Sequence, residues 1–281
     1  MNWINILSEP FTYAFMQRAL FVAVIVATIS AILSCYLVLK GWALMGDALS
    51  HAVLPGIVIV YLLGVPLIIG AFVAGLVCSF SMGYIKQYSR LKEDTVMGIV
   101  FAGMFAIGLV IFSKIESDQH LLHILFGNIL GITQADFYQT LILSAMVIIA
   151  LLFKGKDFVL FCFDRNYCHV AGLSPRKLHY FLLSLLTLTI VMAMQVVGVI
   201  LVVAMLIAPG MTAYLLTKQF YQMVIIAIFC SLLSSFLGLL VSYYIDGSPG
   251  ACIILIQAAF FISALAITQL KHKIQINFSE N

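Results

Sequence analysis

Charge is what this chain has least of. Only 9% of its 281 residues are Asp, Glu, Lys or Arg, where a soluble domain carries about 25%. That scarcity excludes an ordinary water-facing surface. Together with 64% hydrophobic residues it makes the chain a multi-span membrane protein. The six cysteines are scattered. Cys35, Cys78, Cys230 and Cys252 lie in apolar runs, where packing as small apolar groups is the default. Cys162 and Cys168 stand in a polar stretch without CxxC spacing, which argues against a zinc site and leaves no disulfide framework. The phosphate-cradling pattern GxxxxGK[ST] is missing, because Gly155-Lys156 is followed by Asp157 and has no earlier glycine. HExxH and GxSxG are missing too, so protease and lipase chemistry find no support. The first twenty residues lack a basic segment and contain Glu9 and Pro10; a cleaved signal peptide is not expected.

What is present is a series of apolar runs. Nine spans are expected at about 19–39, 44–63, 67–85, 95–113, 137–153, 178–196, 199–217, 223–245 and 251–270. Merging the first two across the short 40–46 join, or half-burying one of them, would leave eight. The expected fold is an all-α integral membrane protein, a polytopic helical bundle in one transmembrane domain over residues 1–281. Residues 1–18, with Trp3, Phe11, Tyr13 and Phe15, suit an interfacial segment. His123 to Ile132 is apolar but too short to span, which suits a re-entrant segment. Residues 154–177 form the longest hydrophilic loop. Small residues recur every four positions at Ala71, Gly75, Ser79 and Gly83, and again at Gly98, Ala102 and Ala106; each set is a ridge on which another helix can approach closely. Pro209 interrupts the seventh span and leaves the Met205 carbonyl without its helical donor.

Basic residues set the orientation. With nine alternating spans, Lys40, Lys86, Arg90, Lys92, Lys154, Lys156, Arg165, Arg176, Lys177, Lys218, Lys271 and Lys273 share one side, twelve of the fourteen Lys and Arg. Only Arg18 and Lys114 fall opposite. The positive-inside bias makes the crowded side cytoplasmic, with the N-terminus outside and the C-terminus inside. Eight spans would move the N-terminus inside.

The chain is organised around Gly41 to Gly56, GWALMGDALSHAVLPG. Asp47 and His51 are four apart, one above the other on a helix face. Pro55 has no N–H to give to the carbonyl of His51, which would leave that oxygen free. A carboxylate, an imidazole and a spare carbonyl on one face could hold a divalent cation. Ionisable groups at membrane depth cost roughly 2.5–3.5 kcal/mol each, so they call for a purpose. The plainer alternatives are that Asp47 caps a helix N-terminus and that His51 is a core histidine bonded to a carbonyl. His120 and His123 are further candidates for meeting an arriving ion, against the commoner reading of surface histidines.

GDALSHAVLPG at 46–56, KEDTVMGIVFAGMFAIG at 92–108, VVGVILVVAMLIAPGMTAYLLT at 196–217 and DGSPGA at 246–251 together resemble the membrane-permease subunits of metal-ion ABC importers. The resemblance covers about residues 10 to 270. FDRNYCHVAGL at 163–173 is similar to that family's cytoplasmic coupling loop. The resemblance implies that Asp47 and His51 belong to the metal path and that Asp164, Ala171 and Gly172 belong to the ATPase-coupling pattern. Cys162, Cys168 and His169 are not part of that pattern; they are idle or sense intracellular metal, and no ligand spacing fixes them. The resemblance also implies a permease homodimer in a bacterial inner membrane. Two cytoplasmic ABC ATPase subunits and an extracytoplasmic metal-binding protein would complete it. The cargo would be Mn2+ or Fe2+, with Zn2+ the alternative. No permanently bound cofactor, no enzyme activity of its own and no nucleic-acid partner are expected. A gradient-driven secondary transporter is the competing class; it calls for inverted repeats, and none is evident. Since His51 binds metal only when neutral, transport should fall on acidification.

Overall fold

The computed structural model describes residues 9–42, 44–114, 129 and 131–279. His120, His123, residues 1–8 of the N-terminal segment and most of the expected re-entrant segment lie outside these. Among the described residues the chain is helical, with no strand. The α-helices are α1 Ala14–Lys40, α2 Met45–Ala52, α3 Leu54–Leu63, α4 Leu67–Tyr88, α5 Glu93–Phe112, α6 Gln134–Phe163, α7 Arg165–Val170, α8 Pro175–Val197, α9 Val199–Leu216, α10 Phe220–Ile245 and α11 Pro249–Ser279.

Eight helical segments among the described residues are long and apolar enough to cross a membrane, with Met45–Leu63 counted as one. The merger anticipated across residues 40–46 does not occur. The first two spans stay separate because Gly41 adopts a left-handed φ of 71°, a conformation that costs glycine little, and α1 stops there. α6 contains the run 137–153 and lies along α8, with Gln139 bonded to Gln195 towards one end and Phe158 against Phe181 towards the other.

Two compact units form, one from Met1–Val38 with Ala204–Asn281 and the other from Leu39–Val203. Several sequence boundaries shift. α1 begins at Ala14 rather than Ala19, which leaves at most residues 1–13 for the expected interfacial stretch. α6 runs through Phe163, so the first ten residues of the expected loop 154–177 are helical. Two forces extend it. Lys154 pairs with Asp157 at 2.8 Å, three residues on. Phe158 and Phe161 are fully buried, continuing the apolar stripe of Val147 and Leu151.

The first small-residue ridge does what its spacing predicts. Ser79 Oγ lies 3.2 Å from Thr187 Oγ1 on α8, and Gly83 leaves room for the Tyr180 ring, which a Cβ there would meet at 2.7 Å. The second ridge does not pack within its own unit: Gly98 and Gly103 face open space, and Ala102 and Ala106 are exposed. In the other unit, Pro209 sits inside α9. Ser34 of α1 spans the disturbed turn, its hydroxyl accepting from the Gly210 N–H at 3.0 Å and donating to the Ile207 carbonyl at 3.3 Å. A buried backbone group at a kink needs such a partner.

Candidate functional site

The signature stretch folds as two short helices. α2 starts at Met45 with Leu44 as N-cap, and Leu44 makes no side-chain cap hydrogen bond. Asp47 is therefore not the N-cap; it sits in the first helical turn, and His51 sits in the last. The Asp47 carboxylate suits the N-terminal end of the helix dipole. The expected continuous span 44–63 breaks at Val53, two residues before Pro55, which then stands in the first turn of α3. The Val53 N–H closes on the His51 carbonyl. That oxygen is therefore not left free, contrary to the expectation from Pro55 alone.

The side chains of Asp47 and His51 do meet. His51 Nε2 lies 3.4 Å from Asp47 Oδ1. His51 is not a core histidine, because its side chain is 38% exposed and that of Asp47 is 46% exposed. Charged groups on a helix of this apolarity are stable only beside water, an ion or another protein surface. Two aromatic rings from α5 flank the imidazole, Phe105 edge-on at 5.3 Å between centroids and Phe101 at 6.1 Å. The sequence reading missed this pair, although Phe101 and Phe105 are four apart and so share a helix face. Among the described residues no three His, Cys, Asp or Glu side chains gather. One chain thus supplies one carboxylate and one imidazole at this place.

Glycines set the backbone around the pair. α3 crosses α4 where Gly56 faces Gly70, and a Cβ on Gly56 would overlap the Gly70 carbonyl. α3 also meets α5 at Gly108, where a Cβ would stand 2.9 Å from the Pro55 nitrogen. Ser50 is buried and returns its hydroxyl to the Gly46 carbonyl at 2.7 Å.

Asp164, Ala171 and Gly172 come together as the two ends of one short helix. The Asp164 carboxylate accepts from the Asn166 and Tyr167 N–H groups at 2.7 and 3.1 Å, which makes it the N-cap of α7. Ala171 is the C-cap. Gly172 follows at φ 75°, and the Leu173 N–H returns to the Cys168 carbonyl at 3.0 Å, a left-handed helix stop. Cys168 is fully buried and anchors α7. Tyr167 at 59% and Val170 at 84% exposure are its outward apolar side chains; the sequence pattern gave them no role. Burial pushes the Cys162 thiol up to about 11, against an opposing pull from the Lys40 ammonium. Burial first, then Asp157, also pushes the Cys168 thiol up. Raised thiols stay protonated and are poor metal ligands. His169 is exposed on α7, apart from any metal-sized cluster among the described residues.

Three kinds of similarity bear on identity. The "Probable iron transport system membrane protein" of Haemophilus influenzae is 61% identical over 265 residues, covering 94% of this chain and 98% of that protein. The "Manganese transport system membrane protein MntB" of Synechocystis is 49% identical over 259 residues, covering 92% of this chain and 85% of that protein. The solved structure of PsaBC from Streptococcus pneumoniae in complex with Fab superposes with a TM-score of 0.82 at 36% identity, covering 93% of this chain and 94% of that one. The sequence profile of the ABC 3 transport family matches residues 12–268. With eight apolar segments of spanning length and matches over nearly its whole length, the chain is a multi-pass membrane protein that belongs to the ABC 3 transport family.

Proposed function

We propose that this chain is the permease subunit of an ATP-driven importer of Mn2+ or Fe2+ in a bacterial inner membrane, with Asp47 and His51 lining the metal path. The observation that carries this is the pair itself, 3.4 Å apart and half-exposed on an apolar helix with no third ligand among the described residues. One carboxylate and one imidazole are too few to replace the water of a divalent ion. Two copies about a two-fold axis would offer two of each. The exposed ridge Gly98–Ala102–Ala106 on α5, beside the rings that flank His51, supports a homodimer with close helix approach at this face. Such a site binds briefly, since the ion must leave as readily as it enters.

Oxygen and nitrogen ligands without thiolate do not by themselves separate Mn2+ or Fe2+ from Zn2+. Relatives named for iron and manganese transport support that pair of cargoes over zinc. The chain carries no phosphate-binding loop of its own, so ATP hydrolysis is assigned to two cytoplasmic ATPase subunits. They would dock on α7, where Tyr167 and Val170 offer an apolar handle. Asp164, Ala171 and Gly172 act there by shaping the helix. A metal-binding protein on the opposite side would deliver the ion, and no permanently bound cofactor is needed.

The test is uptake of radioactive Mn2+ or Fe2+ by the assembled complex in vesicles, with Asp47→Ala and His51→Ala made singly. Each variant should lose uptake while the complex still assembles. Normal uptake in either variant removes the proposed path.

A further inference from the structure

A second feature in the 39–203 unit has no part in the proposed path. It is a cleft of about 440 Å³ between α2, α4, α5, α7 and α8, within the roughly 300–1,000 Å³ of ordinary ligand pockets. Its walls divide by chemistry. The floor is apolar and buried: Trp42, Met82, Met97 and Leu183. The rim carries the cations Lys86 and Arg176, with no Asp or Glu among the described lining residues. Among the described residues neither cation forms an ion pair. Lys86 Nζ donates to the Leu91 carbonyl at 2.6 Å, which holds its charge beside the opening and leaves two further donors.

We propose that this cleft binds the headgroup phosphate of an anionic phospholipid, with the adjoining acyl segment on the apolar floor. Two uncompensated cations call for an anion. A free oxyanion would satisfy them but would have no use for a floor of Trp, Met and Leu. An anionic lipid uses both halves of the cleft. Gly83 also shapes the cleft, since a Cβ there would stand 2.7 Å from the Tyr180 ring. Because Asn166 and His169 of α7 belong to the same rim, the bound headgroup ties that short helix to α4, α5 and α8.

The test uses the intact complex, exchanged into bilayers of phosphatidylglycerol or of phosphatidylcholine and released for native mass spectrometry. The wild type should retain about one phosphatidylglycerol per permease chain at this site, and no phosphatidylcholine. Lys86→Gln with Arg176→Gln should weaken retention about tenfold or more, the loss of at least one charge-assisted contact, and Arg176→Lys should preserve it. Should the double variant fail to assemble, Met97→Trp fills the floor with both cations in place and should also expel the lipid. Undiminished phosphatidylglycerol in an assembled double variant, or in Met97→Trp, overturns the proposal. So does equal retention of phosphatidylcholine. Displacement of the lipid by excess inorganic phosphate would make the cleft a free-oxyanion site and overturn the lipid assignment.

Discussion

Gly56 and Gly70 lie backbone against backbone, and neither has room for a Cβ: one on Gly56 would overlap the Gly70 carbonyl, and one on Gly70 would overlap the Gly56 carbonyl. The last residue of the signature stretch is therefore a packing residue, and it holds α3 against α4 just beyond the Asp47–His51 pair. Gly56→Ala should force the two helices apart. Overpacking of this kind costs about 1–3 kcal/mol. Thermal unfolding of the detergent-solubilised protein should show a lowered midpoint, and Gly103→Ala, at an open position outside the Gly98–Ala102–Ala106 ridge, should not.

Ser34 offers a parallel case at the other proline. Its hydroxyl serves both the Gly210 N–H and the Ile207 carbonyl. Ser34→Ala leaves both groups without that partner in a buried setting, a cost of about 1–3 kcal/mol. Ser34→Thr keeps the hydroxyl and should recover part of the loss if its methyl fits. A calorimetric comparison of the three proteins checks this.

The α7 residues should separate into two classes. Asp164→Ala removes an N-cap worth about 1 kcal/mol, so the short helix should fray and ATPase binding should weaken through loss of shape. Tyr167→Ala and Val170→Ala leave the caps intact and should weaken ATPase binding by loss of contact alone. Hydrogen exchange across 164–172 distinguishes them: faster in Asp164→Ala, and unchanged in the other two.

The thiols of Cys162 and Cys168 should be inert in the folded protein. Burial raises the Cys162 thiol to about 11, so at pH 8 almost no thiolate is present. Because the folded value exceeds the unfolded one of about 8.5, the associated stability is complete below the unfolded value and is lost as pH rises towards about 11. Mass-spectrometric alkylation at pH 8 should leave both cysteines unmodified until denaturant is added. Rapid labelling of the native protein would revive a sensing role for them.

The local features of this protein were legible in its amino-acid order. Apolar runs of spanning length, the i, i+4 placing of Asp47 and His51, and the ridge Ala71–Gly75–Ser79–Gly83 all follow from helical periodicity and side-chain chemistry, which neighbouring residues alone dictate. The capped helix at 164–172 belongs with them, since Asp164 and Gly172 act on backbone a few positions away.

Tertiary structure decided what periodicity cannot encode, namely which face meets another helix. It left the ridge at Gly98 open while filling the one at Gly75. It continued α6 past Lys154 because Phe158 and Phe161 had a buried surface to join. It set Phe101 and Phe105 against His51, put Ser34 across the helical turn that holds Pro209, and supplied a Val53 donor for the carbonyl that Pro55 could not serve. Each depends on residues far apart in the chain or on the local path of the backbone. Burial and hydrogen bonding reward such contacts only after the helices have assembled.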